Sequence, residues 1–416
     1  MKRFCLFFSI LLWITQLKAQ DTTQQIAGGI KNSTTQQDKP YVIMISVDGF
    51  RYDYADKYNA TNLLRLSGGG VRATAMQPSW PSLTFPNHYS LVTGLYPAHH
   101  GLVDNTFYDR QRKEEYRVGS KSVTDGSWYG GTPLWVLAAQ QQMVSASYFW
   151  VASEAEIKGI RPAYYYKYHE KTNIDSRIQT VVDWLRLPAA DRPHLITFYF
   201  PEVDHSGHWA GPDTDSTLKM VKFVDESIGK LVKAVDKLHL PVNYILVSDH
   251  GMTWADTTIT HRITIPPAFI QDLTVAPGSE KIMLYGSNQQ QIRKAYDSLN
   301  LHRNHYTVYL KNDMPARWHY GQEDRYNRIG DILLVAEPGY IFWNSTGRVY
   351  PGHHGYDNNL ADMHAVFMAW GPAFKPHTHT GTFENVHVYP LVAQLLGLHI
   401  TEPIDGKLDV LKSILK

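Results

Sequence analysis

Acidic and imidazole side chains recur in this chain at a few places where they could act together. Asp48 follows the apolar run "VIMISV", Asp204 follows "ITFYFPEV", and Asp249 follows "YILVS". "DHSGH" puts His208 four residues after Asp204, "SDHGM" puts His250 directly after Asp249, and "YPGHHGYDNN" adds His353 and His354 in a glycine-flanked loop. Singly, each has an ordinary explanation: an aspartate after a strand caps a turn, and Asp-Gly at 48–49 is turn chemistry. Jointly, three carboxylates and three imidazoles on one sheet edge would repel and desolvate one another unless cations stood between them. A donor set of this kind without thiolate suits zinc best, with manganese or iron left open by ligand type. Six ligands are too many for one tetrahedral ion and fit two. Two ions about 3.5 to 4 Å apart can hold the attacking and leaving oxygens of an in-line displacement. Phosphoryl or sulfuryl transfer is therefore the expected class.

A nucleophile is sought in "PSWPSLTFPNHYSLVTGLYPAHHG", residues 78–101, which crowds hydroxyls between prolines. A hydroxyl attacks well only when a base or a metal activates it. Pro86 is expected at the first position of a helix running through "NHYSLVT", where its missing N–H costs nothing. Thr84 would then sit just before that helix, beside unpaired backbone donors and the positive dipole end. Ser79 and Ser82 flank prolines as turn residues, and Ser90 and Thr93 fall within the helix, so position favours Thr84 without excluding the others.

The elements that must position these groups are legible as short apolar runs. Residues 41–48, 194–200, 243–249 and 364–370 are β-branched or aromatic and bounded by turn residues, as buried strands are. Helical patterns lie between them at 60–67, 86–94, 133–141, 174–187, 214–238 and 387–396. This alternation predicts an α/β protein with a doubly wound, mostly parallel sheet, whose ligands bind beyond the carboxyl ends of the strands. Residues 256–345 break the rhythm with "KIMLYG", "HYTVYL" and "DILLVAE" around one helix, and are expected to be a smaller inserted, lid-like subdomain.

With 416 residues, 43% hydrophobic and 19% charged, the chain is an ordinary globular protein. "MKRFCLFFSILLWITQLKAQ" has a basic start, an apolar run and a small-residue end near Ala19, so residues 1–19 read as an export signal too short to span a membrane. Residues 20–40 are polar and are expected to be a flexible leader, leaving 41–416 as the catalytic domain. The only cysteine, Cys5, leaves with the signal, and with it any disulfide, catalytic thiol or thiolate metal site. Loss of Lys2, Arg3 and Lys18 lowers the formal charge from +1 by three, to −2. That gives no electrostatic footprint for nucleic acid. The expected setting is the bacterial periplasm or the exterior, with a small-molecule partner and no membrane span after signal removal.

"VIMISVDGFRYDY", "PSLTFPNHYSLVTGLYPAHHGLVDN", "GGTPLW", "SEAEIKGIRP", "DHSGH", "SDHGM" and "GHHGYDN" occur in order between about 41 and 375. In these the chain resembles the nucleotide pyrophosphatase/phosphodiesterase family of the alkaline phosphatase superfamily. The resemblance implies an alkaline phosphatase-type fold and a two-zinc enzyme that cleaves phosphodiester or phosphoanhydride bonds of nucleotides, releasing nucleoside monophosphate through a covalent threonine intermediate. Carried over by motif, one zinc falls to Asp48, Thr84, Asp249 and His250, and the other to Asp204, His208 and His354. His354 is preferred to His353 because it directly precedes Gly-Tyr-Asp; His353, His205 and the His99–His100 pair are left outside. Asn105 matches the family's donor to a phosphoryl oxygen. Phe85 and Tyr168 match the aromatic clamp on the base, and Tyr199 and Trp150 are expected on the pocket wall. Two departures are visible: Val151-Ala152 replaces the usual Pro-Gly after Trp150, and His205 replaces a common serine.

Rival readings differ in what they require. A sulfatase of the common type needs Cys or Ser followed closely by Pro and Arg, and "LTFPN" has no such arginine. A phosphomonoesterase needs further charges to neutralise a dianion, and no such set is evident. A lysophospholipid or choline-type phosphodiesterase would share every metal ligand and differ only in its pocket, where Phe85 and Tyr168 lean towards a nucleotide. A non-catalytic envelope binding protein would be expected to have lost ligands, and none is lost.

Overall fold

Seven consecutive buried residues, Tyr41–Val47, form a strand covered on both faces. Val42 and Met44 pack with Leu91, Leu134 and Leu391 on one side, whereas Ile43, Ile45 and Val47 pack with Val181, Val221 and Ile228 on the other. This is the two-residue alternation of a strand sandwiched between helix layers. The computed structural model describes residues 22–343 and 348–416. The expected signal segment, 1–19, lies outside the described residues.

Tyr41–Val47 pairs in parallel with Leu195–Phe200, Val47 lying opposite Phe200, and with Val242–Val247, Ser46 lying opposite Val247. Their carboxyl ends are thus in line, and the chain leaves all three at one rim. The whole sheet has nine strands in the order Gln25–Ile26, Tyr164–Tyr166, Ser145–Tyr148, Leu195–Phe200, Tyr41–Val47, Val242–Val247, Phe367–Trp370, Val71–Ala73, Thr378–Thr380. The fourth sequence-predicted strand, Phe367–Trp370, departs from the parallel rule and runs antiparallel to both neighbours. The chain enters it directly from the loop at the carboxyl rim, and only a long crossover connection would have allowed a parallel return.

The helices follow the sequence pattern closely. Asp215–Asp236 is capped by Thr214, whose hydroxyl accepts the Thr217 N–H, and it buries Val221, Val224, Ile228 and Leu231 along one stripe. Its buried Asp225 in turn accepts the Leu63 N–H at 2.8 Å, capping the Thr61–Gly68 helix from the side. The helix containing the hydroxyl cluster spans Thr84–Thr93, so it starts two residues earlier than Pro86 predicts. Pro86 is its third residue. Amides of the first turn have no intrahelical acceptor, so the ring is tolerated there and Thr84 itself becomes helical.

Residues 22–40 are not the unpacked leader that their composition implies. Gln25–Ile26 adds an antiparallel edge to Tyr164–Tyr166, and Trp184 Nε1 donates to Gln24 Oε1 at 2.8 Å. Buried Asn32 donates to the Ala189 and Arg192 carbonyls at 2.8 and 2.7 Å and accepts the Val144 N–H at 2.7 Å. Polar residues rarely pack a core, but here Asn32 satisfies backbone groups of the segments that lead into Ser145–Tyr148 and Leu195–Phe200.

The segment 256–345 contains a four-stranded antiparallel sheet, ordered Thr274–Ala276, Lys281–Tyr285, Ile332–Ala336, Tyr306–Leu310, with helix Gln289–Leu301 on it. It grips the 101–110 segment at several points. Tyr320 Oη donates to the Val103 carbonyl at 2.9 Å, Tyr285 Oη accepts the Tyr108 N–H at 3.3 Å, and buried Arg328 donates to Asp109 at 2.8 Å. Arg110 pairs with Asp331.

Asn32→Ala removes three hydrogen bonds from buried backbone partners, at about 1 kcal/mol each. The expected loss is about 2 to 3 kcal/mol, read as a lower urea midpoint at unchanged slope; a change under about 0.5 kcal/mol would mean the leader contributes nothing.

Candidate metal centre and active site

The rim brings all seven expected ligands together from five separate stretches of chain. Ligand atoms of Asp48, Asp249 and His250 lie within 4.8 Å of one another, as do those of Asp204, His250 and His354. His208 closes the second cluster, its Nε2 standing 3.1 Å from His354 Nε2 and 3.5 Å from Asp204 Oδ1. Thr84 Oγ1 reaches His250 Nε2 at 3.2 Å. His250 and His354 stack with ring centroids 3.6 Å apart, so the two clusters share a border.

Glycine makes this closeness achievable at two points. Gly49, at φ +65°, has no room for a Cβ, which would fall 2.9 Å from Asp204 Cα. A Cβ on Gly352 would meet the Gly207 carbonyl at 2.0 Å, where the histidine loop is pressed against the helix carrying Asp204 and His208. The backbone pairing of Thr253 with His353 fixes the same loop from the other side.

The outer nitrogens of the three histidines define their protonation. His208 Nδ1 donates to the Gly352 carbonyl at 2.8 Å, His354 Nδ1 to the Ser82 carbonyl at 3.0 Å, and His250 Nδ1 to the Gly251 carbonyl at 2.8 Å. A carbonyl only accepts, so each Nδ1 carries a proton and Nε2 is the nitrogen that each ring turns inward. The Nε2 atoms of His208 and His354 then face each other at 3.1 Å, a spacing that suits ligation of one shared cation. Buried Asp48 Oδ1, Asp204 Oδ1 and Asp249 Oδ2 also lack a hydrogen-bond donor. Burial, reinforced by the charges of Asp249 and Asp204, drives the Asp48 carboxyl well above its ordinary range. Burial and the neighbouring His250 and His208 push His354 well below the ordinary imidazole value. Orphaned carboxylate oxygens and inward imidazole nitrogens are the donor set of a metal centre, and proton and metal compete for it.

Around this centre lie groups that orient it. Tyr199 Oη donates to Asp48 Oδ2 at 2.5 Å, and the Gly49 N–H donates to Asp249 Oδ1 at 3.2 Å. Fully buried His88 was not among the sequence candidates, yet its Nδ1 donates to the Thr84 carbonyl at 2.9 Å and lies 3.3 Å from Asp249 Oδ2. Its Nε2 accepts from Ser46 at 2.8 Å. The available signal was its spacing, four residues after Thr84 on one helix face. Asn105 Oδ1 accepts the Phe85 N–H at 3.1 Å, which assigns its amide orientation and leaves its NH₂ as the free donor end.

Beside Thr84 opens a cavity of about 350 Å³. Asp48, Thr84, Asn105 and Asp204 border its polar end, whereas Phe85, Val123, Phe149 and Tyr168 give it apolar walls. Trp150 and Tyr199 also border it, as expected. Trp150 is nonetheless buried and donates Nε1 to the His88 carbonyl at 3.1 Å, so it frames the site as well. Ala152, the second residue of the Val151-Ala152 departure, keeps a left-handed backbone at φ +69°. Glu154, not foreseen, borders the cavity and accepts the Tyr168 N–H at 2.7 Å; burial raises its pKa. No described residue from 256–345 is among those bordering the cavity. The remaining histidines lie outside: His353 turns to Glu280, His205 pairs with Glu170 at the cavity edge, and His99 pairs with Asp405.

A profile of the type I phosphodiesterase/nucleotide pyrophosphatase family matches residues 42–357. The chain is 34% identical over 394 residues to ectonucleotide pyrophosphatase/phosphodiesterase family member 1 of Mus musculus, covering 91% of this chain and 43% of that protein. It is 31% identical over 416 residues to the venom phosphodiesterase of Naja atra, covering 97% and 49%. The chain thus spans less than half the length of these curated relatives. The structure of murine ectonucleotide pyrophosphatase/phosphodiesterase 5 superposes with a TM-score of 0.84 at 29% identity, covering 90% of this chain and 100% of that one. An inactive threonine-to-alanine form of that protein, in complex with AMP, gives 0.84 at 28% identity over 91% and 100%. A sheet rim that gathers carboxylates, imidazoles and one helix-borne threonine accords with these matches: the chain belongs to the type I phosphodiesterase/nucleotide pyrophosphatase family, with its alkaline phosphatase-type fold.

Proposed function

We propose that the chain is an exported two-zinc phosphodiesterase/nucleotide pyrophosphatase that opens phosphodiester or phosphoanhydride bonds of nucleotides and releases nucleoside monophosphate. The observation that carries this is Thr84 Oγ1, 3.2 Å from His250 Nε2, at the junction of two ligand clusters and an aromatic-walled cavity. Asp48, Thr84, Asp249 and His250 would hold one ion, and Asp204, His208 and His354 the other. Bound there, the ions supply positive charge that lowers the threonine hydroxyl pKa and offsets charge on the phosphoryl group.

Thr84 Oγ1 attacks phosphorus, the bond to the leaving-group oxygen breaks, and a phosphothreonine diester forms. Water then cleaves that diester and returns the threonine. The helix N-terminus under Thr84 stabilises negative charge on the attacking oxygen and on the phosphoryl group. Asn105 NH₂ donates to a non-bridging oxygen, most strongly as charge builds there. Phe85 and Tyr168 take the base between them, and Tyr199 holds Asp48 in place. The catalytic domain is taken as 41–416 with the packed 22–40 segment joined to it and 256–345 inserted. Export is supported by the signal pattern of 1–19 and by relatives named as an ectonucleotide enzyme and a venom enzyme. No helix among the described residues is long and apolar enough to cross a membrane.

Turnover of a p-nitrophenyl nucleotide diester should exceed that of p-nitrophenyl phosphate, p-nitrophenyl sulfate and p-nitrophenyl phosphorylcholine. Faster cleavage of any of the last three would replace the nucleotide diester as substrate class. Thr84→Ala should retain both metals by elemental analysis while losing at least about 10³-fold in kcat; full residual activity would remove Thr84 from the nucleophile's role. Tyr199→Phe should fold normally and bind zinc about tenfold more weakly in competition with a chelator. Unchanged affinity would show that its bond to Asp48 does not tune the centre.

A further inference from the structure

Two adjacent residues of the inserted subdomain reach the site from behind. Lys281 is the first residue of the Lys281–Tyr285 strand and Glu280 immediately precedes it. Both are buried, at 3% and 8% exposure, which is unusual for either side chain without a purpose for the charge. Successive residues at a strand start project to opposite sides, and these two end on different loops. Glu280 Oε1 meets His353 Nδ1 at 2.5 Å, and a Cβ on Gly355 would lie 3.2 Å from its Oε2. Glu280 therefore grips the turn on either side of His354. Lys281 Nζ pairs with buried Asp104, the residue before Asn105, whose Oδ1 also accepts the Thr106 N–H at 3.2 Å.

The two gripped loops flank the nucleophile. His354 Nδ1 donates to the Ser82 carbonyl, two residues before Thr84, and Asn105 accepts the N–H of Phe85, one residue after it. A single rigid strand start thus sets the spacing between a metal ligand on one side of Thr84 and a phosphoryl donor on the other.

We propose that Glu280 and Lys281 are positioning residues: Glu280 holds His354 through His353, and Lys281 holds Asn105 through Asp104. The insertion is then a brace that aligns the centre with the oxyanion donor. The Asn105 half rests on the phosphodiesterase function proposed above. Displacements well below 1 Å matter at such positions, because misplacement of about 1 Å can cost about 10²-fold in rate.

The test uses the full chain and two variants that leave no lone buried charge on the Lys281 side or alter shape on the Glu280 side. Asp104→Asn with Lys281→Met replaces the ion pair by groups of similar size, which such sites tolerate better than a half-pair. It should keep both zinc ions, lose about tenfold or more in kcat on a nucleotide diester with KM within about threefold, and bind AMP about tenfold more weakly by calorimetry. Added to Asn105→Ala it should cost nothing further, because both act through one donor. Glu280→Gln should weaken zinc binding about tenfold with Asn105-dependent AMP contacts intact. Normal kcat and AMP affinity in a folded double variant, or losses that multiply with Asn105→Ala, would overturn the Lys281 half. Unchanged zinc affinity in Glu280→Gln would overturn the Glu280 half. A wild-type chain that cleaves no diester would sink the activity proposed above, while the zinc and AMP affinities would still decide this inference.

Discussion

Three carboxylates, those of Asp48, Asp204 and Asp249, are buried side by side at one rim of a sheet. Taken from water without partners, each would cost several kcal/mol, and their mutual repulsion adds to that. Protons could neutralise them only by giving up the negative charge for which the rim is built. The surrounding contacts work the other way: Tyr199 and the Gly49 amide donate to these groups, and His208, His250 and His354 turn their Nε2 atoms towards them. Such an arrangement is stable only around positive charge, so the fold's central demand is electrostatic.

The scaffold meets that demand by stiffness. The strands ending at Val47, Phe200 and Val247 are parallel neighbours, which fixes the spacing of the aspartates before any loop is considered. Gly49 and Gly352 then permit approaches that a single methyl group would prevent. The Thr84–Thr93 helix brings its Thr84 end to the rim from a layer packed on the sheet, held by Asn87 bonds to the Pro81 and Leu83 carbonyls. Little of the centre depends on free loops.

Most of this was legible as pattern. Each aspartate follows a strand that reads as buried, and "DHSGH" carries Asp204 and His208 at a helical four-residue spacing, so the residues of the two candidate clusters are marked by local order. What stayed hidden depends on tertiary partners. Gln24 and Asn32 look like linker residues because their value lies in partners far along the chain, the Trp184 indole for one and backbone groups for the other. Phe367–Trp370 reads as one more buried strand, since direction is set by how the chain enters it. Glu280 and Lys281 look like surface charges at a strand start, and only their partners, His353 and Asp104, reveal otherwise. The lid expected of 256–345 has no described residue at the cavity, for a related reason: an interruption in rhythm locates an insertion without saying which side of the cavity it stands on.

The ligands come from positions as far apart as Asp48 and His354, so no contiguous fragment holds the centre. Loop closure on that scale is slow and late in folding, and the unfolded chain presents only scattered weak donors. Cation binding at the proposed centre would consequently be reserved for the finished structure and would deepen its stability by mass action in proportion to the logarithm of free metal concentration. If the proposed centre is filled as described, scarcity of the ion would leave the chain easier to unfold and degrade, coupling the lifetime of the protein to the supply of its metal.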